Sequence, residues 1–181
     1  CGGADDGKIT IGICQIEPHP ALDAATEGFK AAVVEALGAE NVEFIVQNAA
    51  GDSNTLNSIM ADYVAKKVDL ILANATPVLQ TAAMATTTIP ILGTSVTEYS
   101  VALELDNFNG TVGGNVSGTS DLAPLDAQAA MIKEWFPDTK TVGLIYCSAE
   151  ANSQYQVDEI QKLLEADGIT CTQYPFSDSN D

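Results

Sequence analysis

The residues of this 181-residue chain that could hold or transform a small molecule fall into five short stretches, each following an apolar run. They are Gln15 to His19, Asn48 to Asp52, Ala75 to Pro77, Thr94 to Thr97 and Ser148 to Ser153. Hydroxyls, amides and short residues fill them, and none is a basic cluster. His19, the only histidine, stands between Pro18 and Pro20. No His/Cys/Glu set accompanies it at metal-ligand spacing, and no Ser or Cys partner completes a recognisable nucleophile motif. An enzyme should place a general base near a nucleophile or a metal, and the sequence offers no such pair. The Gly110 to Gly114 stretch lacks both the Gly-Lys-Ser/Thr ending and the preceding strand of a phosphate loop. The cysteines at 1, 14, 147 and 171 lack the close pairing of a zinc site. Cys14 and Cys147 lie in apolar runs and read as small buried hydrophobes, and no disulfide is expected. Neither a cofactor nor a metal is called for.

Non-covalent recognition of a small zwitterion fits these residues better than bond chemistry does. Acidic residues number 25 against 7 cations, a net charge of −18, and there is no arginine. The cations are lysines at 8, 30, 66, 67, 133, 140 and 162. Nucleic-acid binding is excluded as a role, because its affinity comes from cations neutralising phosphates. An anionic group must be held by lysine, by hydroxyls or by backbone N–H groups at a helix start. Thr76, Thr97 or Ser153 could receive a carboxylate in this way, and Asp121 or Glu150 could accept from an ammonium. The candidate contacts are Gln15, His19, Asn48, Thr76, Thr94, Ser95, Thr97, Asp121, Ser148, Glu150, Asn152 and Ser153. Each also has a plain structural role. Thr76, Asn152 and Ser153 are ordinary helix caps. Thr94 and Ser95 can cap the turn after a strand, Asp121 can cap a helix near Leu125, and Asn48 can brace the Gly51 turn.

The elements that must position these residues alternate between strand and helix. Ile9 to Cys14 is a short β-branched run, too short for a helix. Ala21 to Leu37 carries Leu22, Ala25, Phe29, Ala32, Val33 and Leu37 near helical spacing, and Gly38 ends it. Val42 to Val46, Leu70 to Ala73 and Ile89 to Thr94 are further strands. Helices start at Asp52 or Ser53 and at Thr76-Pro77, with proline in the first turn. Asn107 to Gly118 breaks the rhythm with Gly and Asn and feeds a strand over 115–120. Leu125 to Phe136 is a helix stopped by Pro137, with Trp135 and Phe136 expected in the core. A strand over 141–146, a helix over 152–167 ended by Gly168, and a strand over 169–174 follow.

Strands apolar throughout and joined by helices predict an α/β fold, a parallel sheet covered on both faces. The expected organisation is a tether over 1–8, an N-terminal α/β lobe over 9–114, a crossover or hinge over 115–124, and a partial second α/β lobe over 125–181. Two strands alone make a poor core, so the second lobe is expected to be incomplete. No apolar stretch reaches the length of a membrane span.

Several of these segments carry a family resemblance. Ile13-Cys14-Gln15-Ile16-Glu17-Pro18-His19-Pro20-Ala21-Leu22-Asp23 resembles the opening of ABC-transporter substrate-binding lipoproteins, in the type I periplasmic-binding-protein-like group that includes aromatic amino-acid binders. The resemblance continues through Gln47 to Asp52, Ala73 to Pro77, Gly114 to Leu122 and Tyr146 to Ser153, and so covers nearly the whole chain. Val96-Thr97-Glu98-Tyr99 departs from it, since the family commonly has Asp-Pro after the Thr. The resemblance implies a two-lobed extracytoplasmic receptor that binds a small molecule between its lobes, an amino acid with aromatic ones among the candidates, and delivers it to ABC permease subunits. It implies a lipid on Cys1 that anchors the protein to the bacterial cell membrane. The competing reading is a cytoplasmic α/β enzyme or a ligand-responsive regulator core, since one fold hosts many functions.

Overall fold

The computed structural model describes residues 7–177, so Cys1 and its expected lipid lie outside the described residues. The chain divides into two compact units, Cys1–Asp121 and Leu122–Asp181.

Unit 1 alternates β1 (Ile9–Gln15), α1 (Pro20–Leu37), β2 (Val42–Asn48), α2 (Ser53–Lys66), β3 (Leu70–Asn74), α3 (Thr76–Ala85), β4 (Ile91–Val96), a short α4 (Tyr99–Ala102) and β5 (Val116–Ser120). All five strands pair in parallel in the order β2-β1-β3-β4-β5. The period-2 alternation of each strand sends side chains to opposite faces. Ile11, Ile13, Leu72 and Phe44 meet Phe29 and Val33 of α1 on one face. Cys14, Ile71, Ala73 and Ile91 join Leu56, Met60, Tyr63, Val78 and Leu79 of α2 and α3 on the other. The expected sheet, buried on both faces, is therefore present. The strand over 116–120, assigned from sequence to a hinge segment, is the fifth strand of this sheet.

Local chemistry sets the element ends. His19 caps α1, its Nδ1 accepting from the Ala21 N–H at 3.2 Å, and Gly38 leaves α1 at φ 87°. Asp52 caps α2, accepting from the Thr55 N–H and hydroxyl, both at 2.7 Å. Those bonds hold its carboxyl below the usual carboxylate range. On α1 only Thr26 is fully buried, and Ala32 and Leu37, expected on its inner face, are exposed.

Unit 2 contains α5 (Leu125–Trp135), β6 (Thr141–Cys147), α6 (Ala151–Ala166) and β7 (Thr170–Phe176). β6 and β7 form a parallel pair, and Leu164, Ala129 and Ile169 form its small core. Trp135 and Phe136 correct the sequence expectation. They are 67% and 61% exposed, at the end of α5, where the small core formed around Ala129, Leu164 and Ile169 does not extend to cover them. Cys147 is half-buried rather than buried, while Cys14 is fully buried. Both are free thiols, as is Cys171. No helix among the described residues is long and apolar enough to cross a membrane.

Candidate functional site

Strands β1, β2 and β3 end on one polar rung, which β4 joins two residues before its own end. Asn48, Gln15, Asn74 and Thr94 are successive register partners across β2, β1, β3 and β4. Two residues earlier on the same face the rung reads Val46, Ile13, Leu72 and Leu92. The face thus changes from apolar to polar at one level in all four strands. Such strand ends are where open parallel sheets take their ligands.

Much of this rung is committed to the fold. Gln15 is 5% exposed. Its Nε2 donates to Asp23 Oδ1 at 2.9 Å, and its Oε1 accepts from Thr26 Oγ1 at 2.6 Å. Asn74 is fully buried, and its Nδ2 donates to Leu22 O at 2.8 Å and to Thr26 Oγ1 at 3.1 Å. Its Oδ1 is buried with no partner, a rare condition that marks a costly position. Asn48 makes the turn that the sequence suggested, its Oδ1 accepting from the Ala50 N–H at 2.8 Å. His19 is occupied as the α1 cap.

The exits of β3 and β4 differ from ordinary strand ends. Thr76, expected as the α3 cap, is instead the first residue of the helix and is buried. The cap is Ala75, at φ 104° and ψ 155°, whose methyl side chain makes no capping bond to the helix. A residue with a Cβ is held there only when its surroundings over-determine it. The Ala75 N–H donates to Thr94 O at 3.0 Å, and Ala75 O accepts from the Leu79 N–H at 3.1 Å. On the adjacent strand Ser95 has φ 54°, at an irregularity between Gly93 and Val96. Thr97 is buried, and its carbonyl accepts from Ser120 Oγ at 2.7 Å. Two non-glycine residues at positive φ therefore lie just after β3 and near the end of β4, beside a helix start that its own cap residue leaves without a side-chain bond. Strain of this kind clusters at ligand sites.

Asp121 follows β5, its N–H donating to Val96 O at 3.0 Å, with an exposed side chain. It does not cap α5, whose cap is Pro124. Burial, with the Asp121 charge as a lesser cause, pushes the Tyr99 phenol up to about 12. A cavity of about 530 Å³ at this corner is lined by Glu98, Tyr99, Phe108, Val112, Gly118 and Ser120 among others.

In unit 2 the end of β6 places Ser148, whose N–H and Oγ both donate to Phe176 O at 2.8 and 3.1 Å. Glu150, not Asn152 or Ser153, is the α6 cap residue, and Ser153 Oγ donates to its carboxylate at 3.4 Å. Asn152 Oδ1 is buried with no partner.

Lysines are absent from all these ends. Lys30, Lys66, Lys133 and Lys162 lie on helices and pair with Glu27, Asp62, Asp167 and Glu159. Lys8, Lys67 and Lys140 precede strands β1, β3 and β6 in the chain. No group of three or more His, Cys, Asp or Glu among the described residues is placed to hold a metal. Sequence reasoning missed Thr26 and the separate parts of Asn74 and Ala75, which it named only within the 73–77 segment. Counting the alternation from Leu72 would have put Asn74 on the Gln15 level.

Comparison with known proteins follows this geometry. The sequence profile described as ABC transporter substrate binding protein matches residues 10–181. A Tyrosine-binding protein of Clostridioides difficile (strain R20291) is 37% identical over 173 residues, covering 94% of this chain and 50% of that protein. The crystal structure of an ABC domain in complex with L-Trp from Streptococcus pneumonia superposes with a TM-score of 0.88 at 32% identity. It covers 96% of this chain and 59% of that one. A ligand-free, open structure of a substrate binding protein with adhesive properties from Clostridium difficile gives a TM-score of 0.71 at 37% identity, over 94% and 58% of the two chains. The chain thus spans about half the length of the curated relative it matches.

Proposed function

Because the chain belongs to the family of ABC transporter substrate binding proteins, whose type I periplasmic-binding-protein-like fold it shares, we propose that it is an extracytoplasmic amino-acid receptor. It binds an amino acid, with an aromatic side chain as in the relatives named for L-Trp and tyrosine, and hands it to ABC permease subunits. The single observation that carries the ligand class is the uncapped start of α3 behind strained Ala75.

A carboxylate fits that start. The helix N-terminus presents unsatisfied N–H groups and a partial positive charge. Thr76, Thr94, Ser95 and Thr97 supply hydroxyls from the same two strand exits. With no arginine in the chain and no lysine at the strand ends, these groups are the available anion donors. Asp121, exposed after β5, is the acceptor for the ammonium within unit 1. Ser148, Glu150, Asn152 and Ser153 are candidate contacts in unit 2. Gln15, Asn48 and His19 act behind the site, through the bonds they already make. No bond is made or broken in this role, and the ligand acts by favouring the state it binds best. Anchoring through a lipid on Cys1 belongs to the same proposal on the strength of the family resemblance. Mass spectrometry of the protein from its native membrane tests it.

A thermal-shift screen over the amino acids, with sugars and purines as controls, tests the ligand class. A ligand that binds only the folded state raises the melting temperature by mass action. The expected result is a rise with aromatic amino acids and none with sugars or purines. A rise confined to a sugar or a purine would overturn the proposal.

A further inference from the structure

We infer that Asn74 and Thr26 are positioning residues, which hold Ala75 in its strained conformation and so keep the α3 start open for an anion. The functional consequence rests on the carboxylate seat proposed above; the backbone effect does not.

Asn74 directly precedes Ala75, and its side chain is locked to α1 rather than to its own strand. Leu22 O and Thr26 Oγ1 hold its amide, and Thr26 Oγ1 is fixed in turn on Gln15 Oε1. Gln15 is tied to Asp23, one residue after Leu22. The last rung of β3 is thus clamped to the first turns of α1 through four side chains. Beyond that rung the chain has one residue in which to leave the strand and enter α3. Ala75 N–H is fixed on Thr94 O, and Ala75 O already begins the helix. With both its peptide groups bonded and Asn74 unable to retreat, Ala75 has no relaxed alternative. If Asn74 could peel away from β1, the strain would relax and the α3 start could be capped in the ordinary way.

A leucine at position 74 would keep the branching of the asparagine and carry no unpartnered oxygen of its own. The amide therefore does something that packing alone does not require. The clamp explains it, since only a polar side chain can bond both the helix carbonyl and the threonine hydroxyl.

The experiment is NMR of the full chain labelled with 13C at alanine, because alanine Cα and Cβ shifts report φ and ψ directly. In the wild type the Ala75 resonances are expected outside the ordinary strand and helix ranges. In Asn74→Leu they are expected to move into the ordinary extended range. Thr26→Val, which removes the hydroxyl and keeps the shape, is expected to move them the same way and serves if Asn74→Leu folds poorly. Thermal melting gives an independent readout. Ala75→Gly relieves strain and is expected to raise the melting temperature by about 2–4 °C in the wild type, and not to raise it in the Asn74→Leu background. Ala75 shifts that stay at wild-type values in the folded variants, with additive melting temperatures, would overturn the inference and leave Asn74 a packing residue. A confirmed clamp in a protein that binds no amino acid would instead count against the receptor proposal alone.

Discussion

Gln15 and Asn74, register partners on neighbouring strands, share one hydroxyl. Thr26 Oγ1 donates to Gln15 Oε1 at 2.6 Å and accepts from Asn74 Nδ2 at 3.1 Å. Gln15, Asn74 and Thr26 are all buried, so neither amide can turn to water. Thr26→Val should leave two buried groups short of a partner and cost about 1–3 kcal/mol. Urea denaturation measures this as a lower midpoint at unchanged slope. A midpoint equal to wild type would show that the shared hydroxyl contributes nothing.

Tyr63 and Tyr99 crowd three glycines, Gly12, Gly93 and Gly118. A Cβ at Gly12 would lie 2.8 to 2.9 Å from the Tyr63 ring. That ring cannot swing aside, because it is fully buried and its hydroxyl is held between Ile13 O at 2.7 Å and Ile45 O at 2.9 Å. Gly12→Ala should therefore destabilise by about 1–3 kcal/mol. At Gly118 the added carbon would meet the Gly93 main chain as well as the Tyr99 hydroxyl. Gly118→Ala should be the more damaging, since backbone yields less than a side chain. Thermal melts of the two variants, ranked in the opposite order, would contradict this packing.

Stability should fall on the alkaline side. Burial pushes the Tyr63 phenol well above the ordinary 10.0, the Tyr99 phenol up to about 12 and the Cys14 thiol from 9.0 up to about 12. The folded state keeps these protons where the unfolded chain has lost them. Their contribution is fully present below the unfolded values of 9.0 and 10.0, and is lost as pH rises toward the folded values. Denaturant midpoints measured from pH 7 upward should hold steady to about pH 9 and then decline. Tyr63→Phe should flatten part of that decline. A midpoint unchanged to pH 11 would count against burial of these groups.

Unit 2 should be the weaker of the two. Its core rests on Leu164, Ala129 and Ile169, with Leu164 fully buried. Leu164→Ala should cost about 2–5 kcal/mol, a large share of what so small a core supplies. Hydrogen exchange should show faster exchange across 125–176 with unit 1 protection retained. Equal loss of protection in both units would mean that they unfold together.

How much of this was legible in the sequence depended on whether the signal was local. The parallel sheet and most helices were, because unbroken apolar runs such as Leu70 to Ala73 and caps such as Asp52 and Gly38 act within a few residues. The polar strand ends were also readable as a set. Their division of labour was not. Gln15 and His19, read from the sequence as ligand contacts, also hold the fold together through the bonds to Thr26, Asp23 and the Ala21 N–H. Those bonds join residues brought together by the turn from β1 into α1. Thr26 was overlooked because a polar residue on an amphipathic helix reads as surface. The positive φ of Ala75 and Ser95 could not be foreseen, since that conformation is signalled by glycine or asparagine and neither residue is one. Trp135 and Phe136 were misplaced because aromatic character alone does not say which face of a short unit is covered.

The most direct test of the receptor proposal is an amide NMR titration of the full chain with L-tryptophan, beside L-tryptophanamide as the analogue without a carboxylate. If the start of α3 is the carboxylate seat, L-tryptophan should shift the amides of Thr76 and Val78 first, with Ser95 and Thr97, while the tryptophanamide leaves them in place. Equal shifts from both compounds, or L-tryptophan shifts confined to residues away from these two strand exits, would contradict it.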